Sequence, residues 1–226
     1  MRTVFRKEIK YLIPRGTALS LERRLREVME RDTHGDDGNY FIRSQYYDSV
    51  YDRDLADNLD GLYEKRKIRL RIYDLDTSMV KLEYKCKNGL DGVKYSMDIS
   101  REEALQMEQG DISFLLDYDN ELAMHLWARM TEGYYRPKII VDYHRLAFAY
   151  PAGDVRITFD RDIRGSVCPY GLFEEISTDG IGGPEEVLME VKYTDFLPDT
   201  LQWILKDADS LAASNSKYSR TRMLCR

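Results

Sequence analysis

Lys65-Arg66-Lys67-Ile68-Arg69-Leu70-Arg71-Ile72-Tyr73, followed shortly by Val80-Lys81-Leu82-Glu83-Tyr84-Lys85-Cys86-Lys87, is the stretch whose reading decides the fold. In the first run Ile68, Leu70 and Ile72 alternate with Lys67, Arg69 and Arg71, which is the two-residue period of a strand with one apolar and one cationic face. In the second run Val80, Leu82, Tyr84 and Cys86 share one face, and Lys81, Glu83, Lys85 and Lys87 share the other. Neighbouring strands that carry cations on the same face repel each other, so the pattern makes physical sense where a strong anion lies against them.

The same alternation recurs along the chain. Phe5 to Ile13 sets Arg6, Glu8 and Lys10 against Ile9, Tyr11 and Ile13 and stops at Pro14. Val93 to Ile99 sets Lys94, Ser96 and Asp98 on one face. Asp154 to Asp160 does so with Arg156, Thr158 and Asp160, and Glu185 to Tyr193 with Leu188, Glu190 and Lys192. Tyr40 to Asp48 and Lys138 to Phe148 also read as strands. Hairpin loops are expected at Asn88-Gly89-Leu90-Asp91-Gly92 and at Pro151-Ala152-Gly153.

Between these lie helices. Thr17 is the expected N-cap of one that runs to about Arg31, with Leu21, Leu25, Val28 and Met29 at helical spacing. Ser49 to Leu59 reads as a short helix, and Ser100 with Glu103 forms a capping box. A further helix spans Asp119 to Glu132, and Leu197-Pro198 opens another. Ser214 to Arg220 leads into a short tail. The chain reads as one α+β domain over residues 1–226, with an antiparallel sheet closed into a barrel of about eight strands. Charged faces point inward and helices pack outside.

Bulk properties narrow the function. The 226 residues carry a formal net charge of -6, unlike the basic balance of most nucleic-acid binders, so the cations are concentrated rather than abundant. The 17 tyrosines suit walls that are buried yet lined with polar groups. Cys86, Cys168 and Cys225 form no C-x-x-C pair, and His34, His125 and His144 show no ligand spacing. No apolar run is long enough to span a bilayer, and the N-terminus lacks the apolar centre of a signal peptide. A cytoplasmic protein without membrane insertion and without nucleic acid as a partner is expected.

Arg suits bidentate contact with phosphate oxygens and Lys suits point-charge neutralisation. Arg69, Arg71 and Arg156 together with Lys10, Lys85, Lys94 and Lys192 therefore point to phosphate. Glu8, Glu83 and Glu190, the few inward acids, are what a divalent cation bridging phosphates needs, or else they neutralise adjacent cations. No nucleophilic triad is visible, and phosphoryl transfer does not require one.

Seven motifs carry a family resemblance: Arg6-x-Glu8-x-Lys10-Tyr11-Leu12, Lys67-Ile68-Arg69-Leu70-Arg71, Leu82-Glu83-Tyr84-Lys85-x-Lys87, Asp142-Tyr143-x-Arg145-x-Ala147-Phe148, Val155-Arg156-Ile157-Thr158-Phe159-Asp160, Glu190-Val191-Lys192-Tyr193 and Ser216-Lys217-Tyr218-Ser219. In this order they resemble the VTC domain, the polyphosphate polymerase domain of the triphosphate tunnel metalloenzyme (CYTH-like) superfamily. The resemblance implies a β-tunnel with a basic interior that binds ATP and inorganic polyphosphate with Mn or Mg, and transfer of the terminal phosphate of ATP to a growing chain. Carried over by position, Lys10, Arg69, Arg71, Lys85, Lys94, Arg145, Arg156 and Lys217 would hold phosphates and Glu190 would be the metal ligand. Arg6 stands where the superfamily's first Glu belongs, which leaves the hydrolytic apparatus thin and ranks a polymerase above a triphosphatase or a non-catalytic polyphosphate sensor. A protein partner could receive the product. Arg145 shares the parity of Ile139, Val141 and Tyr143, the face read as outward, so an inward Arg145 implies a bulge near His144.

Overall fold

The computed structural model describes residues 7–32, 39–88, 91–211 and 216–224. Arg6, the Gly89-Leu90 turn and Cys225 lie outside them. The order of elements is β1 (Lys7–Pro14), α1 (Arg15–Arg26), β2 (Glu30–Arg31), β3 (Asn39–Asp48), α2 (Arg53–Leu59), β4 (Glu64–Ile72), β5 (Met79–Asn88), β6 (Asp91–Ser100), α3 (Arg101–Glu108), α4 (Glu121–Glu132), β7 (Arg136–Tyr150), β8 (Val155–Ser166), β9 (Asp179–Gly180), β10 (Glu186–Tyr193), α5 (Asp199–Leu205) and α6 (Lys217–Leu224).

The fold is α+β, with an antiparallel sheet whose hydrogen-bonded path runs β1-β10-β8-β7-β3-β4-β5-β6, the short β2 and β9 pairing beside it. Hydrogen bonds do not carry the expected closure into a barrel of about eight strands. Among the described residues no ladder joins β1 to β6, so hydrogen bonding leaves both as edges instead of closing the sheet.

Several boundaries differ from the sequence reading for local reasons. Helix α1 starts at Arg15 because Pro14, with its φ of -63°, ends the strand and sits at the N-cap, leaving Thr17 inside the first turn. Helix α2 starts only at Arg53. Asp48 lies before it and accepts hydrogen bonds from the backbone N–H groups of Ser49, Asp54 and Leu55, while Asp52 takes a left-handed φ of 54° at the N-cap. The capping box of Ser100 and Glu103 forms as expected. The β5–β6 hairpin also forms, with Asn88 opposite Asp91. The segment read as a tail is helix α6.

The chain divides into two compact units. The first comprises the described residues of Met1–Phe41, Asp142–Arg164 and Gly180–Lys217. Here the apolar faces of β1, β8 and β10, through Tyr11, Ile13, Ile157, Phe159, Met189 and Val191, bury against Leu21 and Leu25 of α1 and Leu201 and Ile204 of α5. The second comprises the described residues of Ile42–Val141, Gly165–Asp179 and Tyr218–Arg226. Its core sets Ile68, Leu70, Val80, Leu82 and Ile99 of β4, β5 and β6 against Ala104 and Met107 of α3 and Leu126 and Met130 of α4. At about 25 cal/mol per Å² of buried apolar surface, such faces give most of the driving force for strand alternation. No helix of the described residues is long and apolar enough to cross a membrane.

Candidate phosphate-binding faces

With one face of β4, β5 and β6 committed to the core, the alternate residues form a charged grid in the second unit. Register sets Lys67 opposite Lys85 and Lys85 opposite Lys94, so three ammonium side chains line up across three adjacent strands. The next row is Arg69, Glu83 and Ser96, with Tyr46 of β3 opposite Arg69. Glu83 is buried. Its Oε2 accepts from Arg69 Nε at 2.6 Å and its Oε1 from Lys94 Nζ at 2.6 Å, while Arg71 Nη1 stands 3.7 Å from Oε2. Arg69 Nη1 also donates to the Tyr46 hydroxyl at 3.1 Å. Burial works to raise the Glu83 carboxyl, but the charges of Arg69, Arg71 and Lys94 outweigh it and hold the group well below the usual carboxylate range. Tyr46, Lys67, Arg69, Glu83, Lys85 and Lys94 line a small cavity of about 30 Å³.

The first unit builds its own cluster across β1, β10 and β8. Lys10 lies opposite Glu190, which lies opposite Thr158; in the neighbouring row Glu8, Lys192 and Arg156 are opposed in turn. Glu190 is buried between lysines, with Lys10 Nζ at 3.3 Å and Lys217 Nζ at 3.7 Å from Oε1 and Lys192 Nζ at 3.3 Å from Oε2. Glu8 Oε1 stands 3.1 Å from Lys10. Asp160 is fully buried and binds Arg145 through two bonds of 2.6 and 2.8 Å, and it also pairs with Lys217. Burial opposes ionisation of Glu190, yet Lys10, Lys192, Lys217 and Arg145 together hold it well below its ordinary value. Asp160 is likewise lowered against its burial, by Arg145 and Lys217. The Lys10 ammonium is depressed by burial but raised more strongly by Glu190 and Glu8, with a net upward shift.

The predicted residues therefore gather in two sets. Glu83, Arg69, Arg71, Lys85 and Lys94 stand together in the second unit, and Glu8, Lys10, Arg145, Glu190, Lys192 and Lys217 in the first. Arg156 turns to Asp32 and to the Tyr40 hydroxyl, the latter at 3.1 Å. Arg145 needs no bulge to reach its cluster. Leu146 and Phe148 of β7 belong to the core, so by simple alternation Tyr143 and Arg145 face the other way, with Lys217 Nζ 4.7 Å from the Tyr143 ring. Reading the Tyr143 side as outward was thus the error.

Sequence reasoning passed over Lys67, Tyr46, Tyr143 and Asp160. Parity alone could have added Lys67, which shares its face with Arg69, and Asp160, which shares its face with Arg156 and Thr158. A larger cavity, about 390 Å³, is lined by Ile9, Tyr11, Tyr193, Phe196 and Leu205 among others and holds none of the predicted residues.

Among the described residues no three carboxylate, His or Cys side chains converge as a metal-holding group. The donors present fit a cation shared with phosphate oxygens, which takes only one or two protein carboxylates. Glu8 and Glu190 sit in adjacent rows. The Thr158 hydroxyl, buried directly opposite Glu190, has no hydrogen-bond partner among the described residues.

The family model described as the VTC domain matches residues 5–225, nearly the whole chain and both units. The chain belongs to the VTC domain family. Among solved structures, this VTC domain is similar to a Bacillus halodurans protein provisionally named an adenylate cyclase, with a TM-score of 0.59, 15% identity and 96% of each chain covered. It is also similar to a conserved hypothetical protein from Pyrococcus furiosus, at a TM-score of 0.50 and 11% identity over 92% of this chain and 94% of that one. At these identities the likeness is one of fold. Among curated proteins no sequence matches this VTC domain significantly. Family membership supports a function related to triphosphate or polyphosphate.

Proposed function

We propose that this VTC domain binds tripolyphosphate and inorganic polyphosphate with Mn or Mg and transfers the terminal phosphate of ATP to a polyphosphate chain. The observation that carries this reading is the Glu83 face. There Lys67, Lys85 and Lys94 oppose one another on adjacent strands, Arg69 and Arg71 stand beside them, and Glu83 is the one carboxylate within the set. Like charges directly opposite destabilise a sheet, and a polyanion reverses the sign of that term.

In the transfer, an oxygen at the end of polyphosphate attacks the γ-phosphorus of ATP, the bond to the β–γ bridging oxygen breaks, and ADP leaves. In the second unit Arg69, Arg71 and Lys85 would stabilise charge on a phosphoryl group in flight and Lys94 would hold a flanking phosphate; in the first unit Arg156 would have the same charge-stabilising role and Lys10, Arg145, Lys192 and Lys217 would hold phosphates. Glu190 and Glu8, with the Thr158 hydroxyl, would hold a divalent ion, which would supply positive charge against the phosphates. Glu83, whose oxygens accept from Arg69 and Lys94 at 2.6 Å, closer than the 3.3 Å lysine contacts of Glu190, is assigned instead to orienting Arg69 and Lys94. A tunnel closed around the polyanion, a cytoplasmic setting and a protein partner that takes the product belong to the same reading.

Arg6, standing where the superfamily's first Glu belongs, ranks transfer to phosphate above hydrolysis in this reading. The test is incubation with ATP and Mn, and separately with tripolyphosphate, with products resolved on a gel. Long chains from ATP are expected. Orthophosphate released from tripolyphosphate would establish a triphosphatase, and binding without either product would establish a sensor.

A further inference from the structure

Charge explains why Arg69 lies against Glu83, but it does not explain the two tyrosines on its other side. Tyr46, directly opposite Arg69 on β3, is buried, accepts from Arg69 Nη1 at 3.1 Å and lies beneath the guanidinium, whose carbon is 5.8 Å from the ring centre. The ring of Tyr46 stacks on that of Tyr218 in α6, centres 5.2 Å apart and planes inclined by 29°. Tyr218 is almost fully buried and donates its hydroxyl proton to Asp48 Oδ2 at 2.6 Å, the same carboxylate that holds the start of α2. One turn on, Arg222 clasps Asp52 through bonds of 3.1 and 2.6 Å and donates to the Tyr218 hydroxyl at 3.3 Å. Lys138 reaches the same Asp52 at 2.9 Å.

We propose that Tyr46 and Tyr218 are positioning residues, an aromatic brace through which the C-terminal helix α6 fixes the guanidinium of Arg69 for phosphate. The inference rests on the reading of the Glu83 face as phosphate-binding. The Tyr46 hydroxyl is engaged by the arginine, which phenylalanine could not offer, and the Tyr218 ring is the surface against which Tyr46 stacks, held in place by α6. An arginine that arrives already ordered loses little side-chain entropy on binding. Its planar fork is then aimed before the anion comes.

The test measures tripolyphosphate affinity by calorimetry, with thermal unfolding in parallel, and follows the Arg69 Nε–Hε resonance by NMR in the ligand-free protein. Tyr218→Leu is expected to weaken binding about tenfold and to shift or broaden that resonance, and Tyr218→Phe, which keeps the stack, to restore both nearly to wild type. In an Arg69→Ala background Tyr218→Leu should add no further loss, because the brace acts only through Arg69. Tyr46→Phe, which deletes one hydroxyl and keeps the packing, is expected to weaken binding about threefold and covers the case in which Tyr218→Leu does not fold. A lowered melting temperature with unchanged affinity and an unchanged Arg69 resonance would overturn the brace, as would losses from Arg69→Ala and Tyr218→Leu that add in full. If the wild type ignores tripolyphosphate while the Arg69 resonance still answers to Tyr218→Leu, the phosphate reading fails and the brace stands.

Discussion

The two units meet the same problem, charge on the sheet face opposite the apolar core, in opposite proportions. In the first, Lys10, Lys192, Lys217 and Arg145 face Glu8, Glu190 and Asp160, so the cluster is close to self-neutral. In the second, among the described residues, Arg69, Arg71 and Lys94 converge on Glu83 and Lys67 and Lys85 stand in the adjoining row. Both clusters have half-exposed members, Lys10 and Lys192 in the first and Lys67, Arg69 and Lys85 in the second; they differ at the extremes, where Asp160 is fully buried and the Lys94 side chain is about half open. The difference teaches that the first cluster contributes stability as well as ligand contacts. On the proposed phosphate-binding reading, the second gives up stability for a role that an anion completes.

Breaking the balance in the first unit should have the largest effect. Asp160→Asn leaves Arg145 and Lys217 buried without their carboxylate, and removing one partner of a buried ion pair costs about 3–5 kcal/mol. Urea unfolding is expected to show that loss, and a change below about 1 kcal/mol would mean that the cluster does not hold the unit together. In the second unit the corresponding cut falls on binding. Arg69→Ala should weaken tripolyphosphate binding by about 1.5–3 kcal/mol, the range for hydrogen bonds to charged groups, and should lower unfolding stability by less than Asp160→Asn, because Arg71 and Lys94 still face the buried Glu83.

How much of this contrast was legible in the sequence follows from what alternation records. It marks which face each residue takes, so Lys67 to Arg71, Lys81 to Lys87 and Arg156 to Asp160 could be placed without coordinates. The capping box of Ser100 and Glu103 was equally plain. Alternation does not record partners. That Arg145 pairs with Asp160, and Arg156 with Asp32, depends on which strands become neighbours and on loops far away in the chain. Helix α6 escaped because its buried positions, Lys217, Tyr218 and Thr221, are amphipathic or polar and give no apolar stripe to read. Closure of the sheet, inferred from the number of strands, is a property of the edge ladders, on which the pattern is silent.

A smaller effect sharpens the comparison. Lys85→Ala removes the middle of the row of three ammonium groups, so it should change stability by no more than about 1 kcal/mol. It should nonetheless weaken tripolyphosphate binding. In the first unit the analogous Lys10→Ala, which uncovers the buried Glu190, is expected to cost more stability than that. Urea unfolding of both variants compares the two faces directly.

The pH dependence of stability has two limbs of opposite sign. Glu83, Glu190 and Asp160 have folded values below their unfolded ones, so the stability they contribute is present above the ordinary carboxylate range and is lost as the pH falls through it and below. Asp54, buried at the start of α2, runs the other way. Its own burial and the nearby Asp48 raise it to about 6 despite Arg129 at 2.8 Å and the Tyr135 hydroxyl at 3.0 Å. Because it binds a proton more tightly when folded, its contribution is largest in acid and is lost as the pH rises through about 6. Melting temperatures between pH 4 and 7.5 should fall gently above pH 5, and Asp54→Asn should flatten that limb alone. The smallest effect is expected at Arg24, which pairs with Asp207 at 2.6 Å beside Trp203: Arg24→Ala should lower stability by no more than about 1 kcal/mol and leave phosphate binding untouched.

The central claim, that the cation-rich face of the second unit is built for a polyanion, is tested most directly by calorimetric titration of tripolyphosphate into the wild type and Arg69→Ala at several salt concentrations. The account predicts tight binding that falls steadily with ionic strength, as screened charge contacts must, and that is at least tenfold weaker in the variant. No binding by the wild type, or equal affinity in Arg69→Ala, would contradict it.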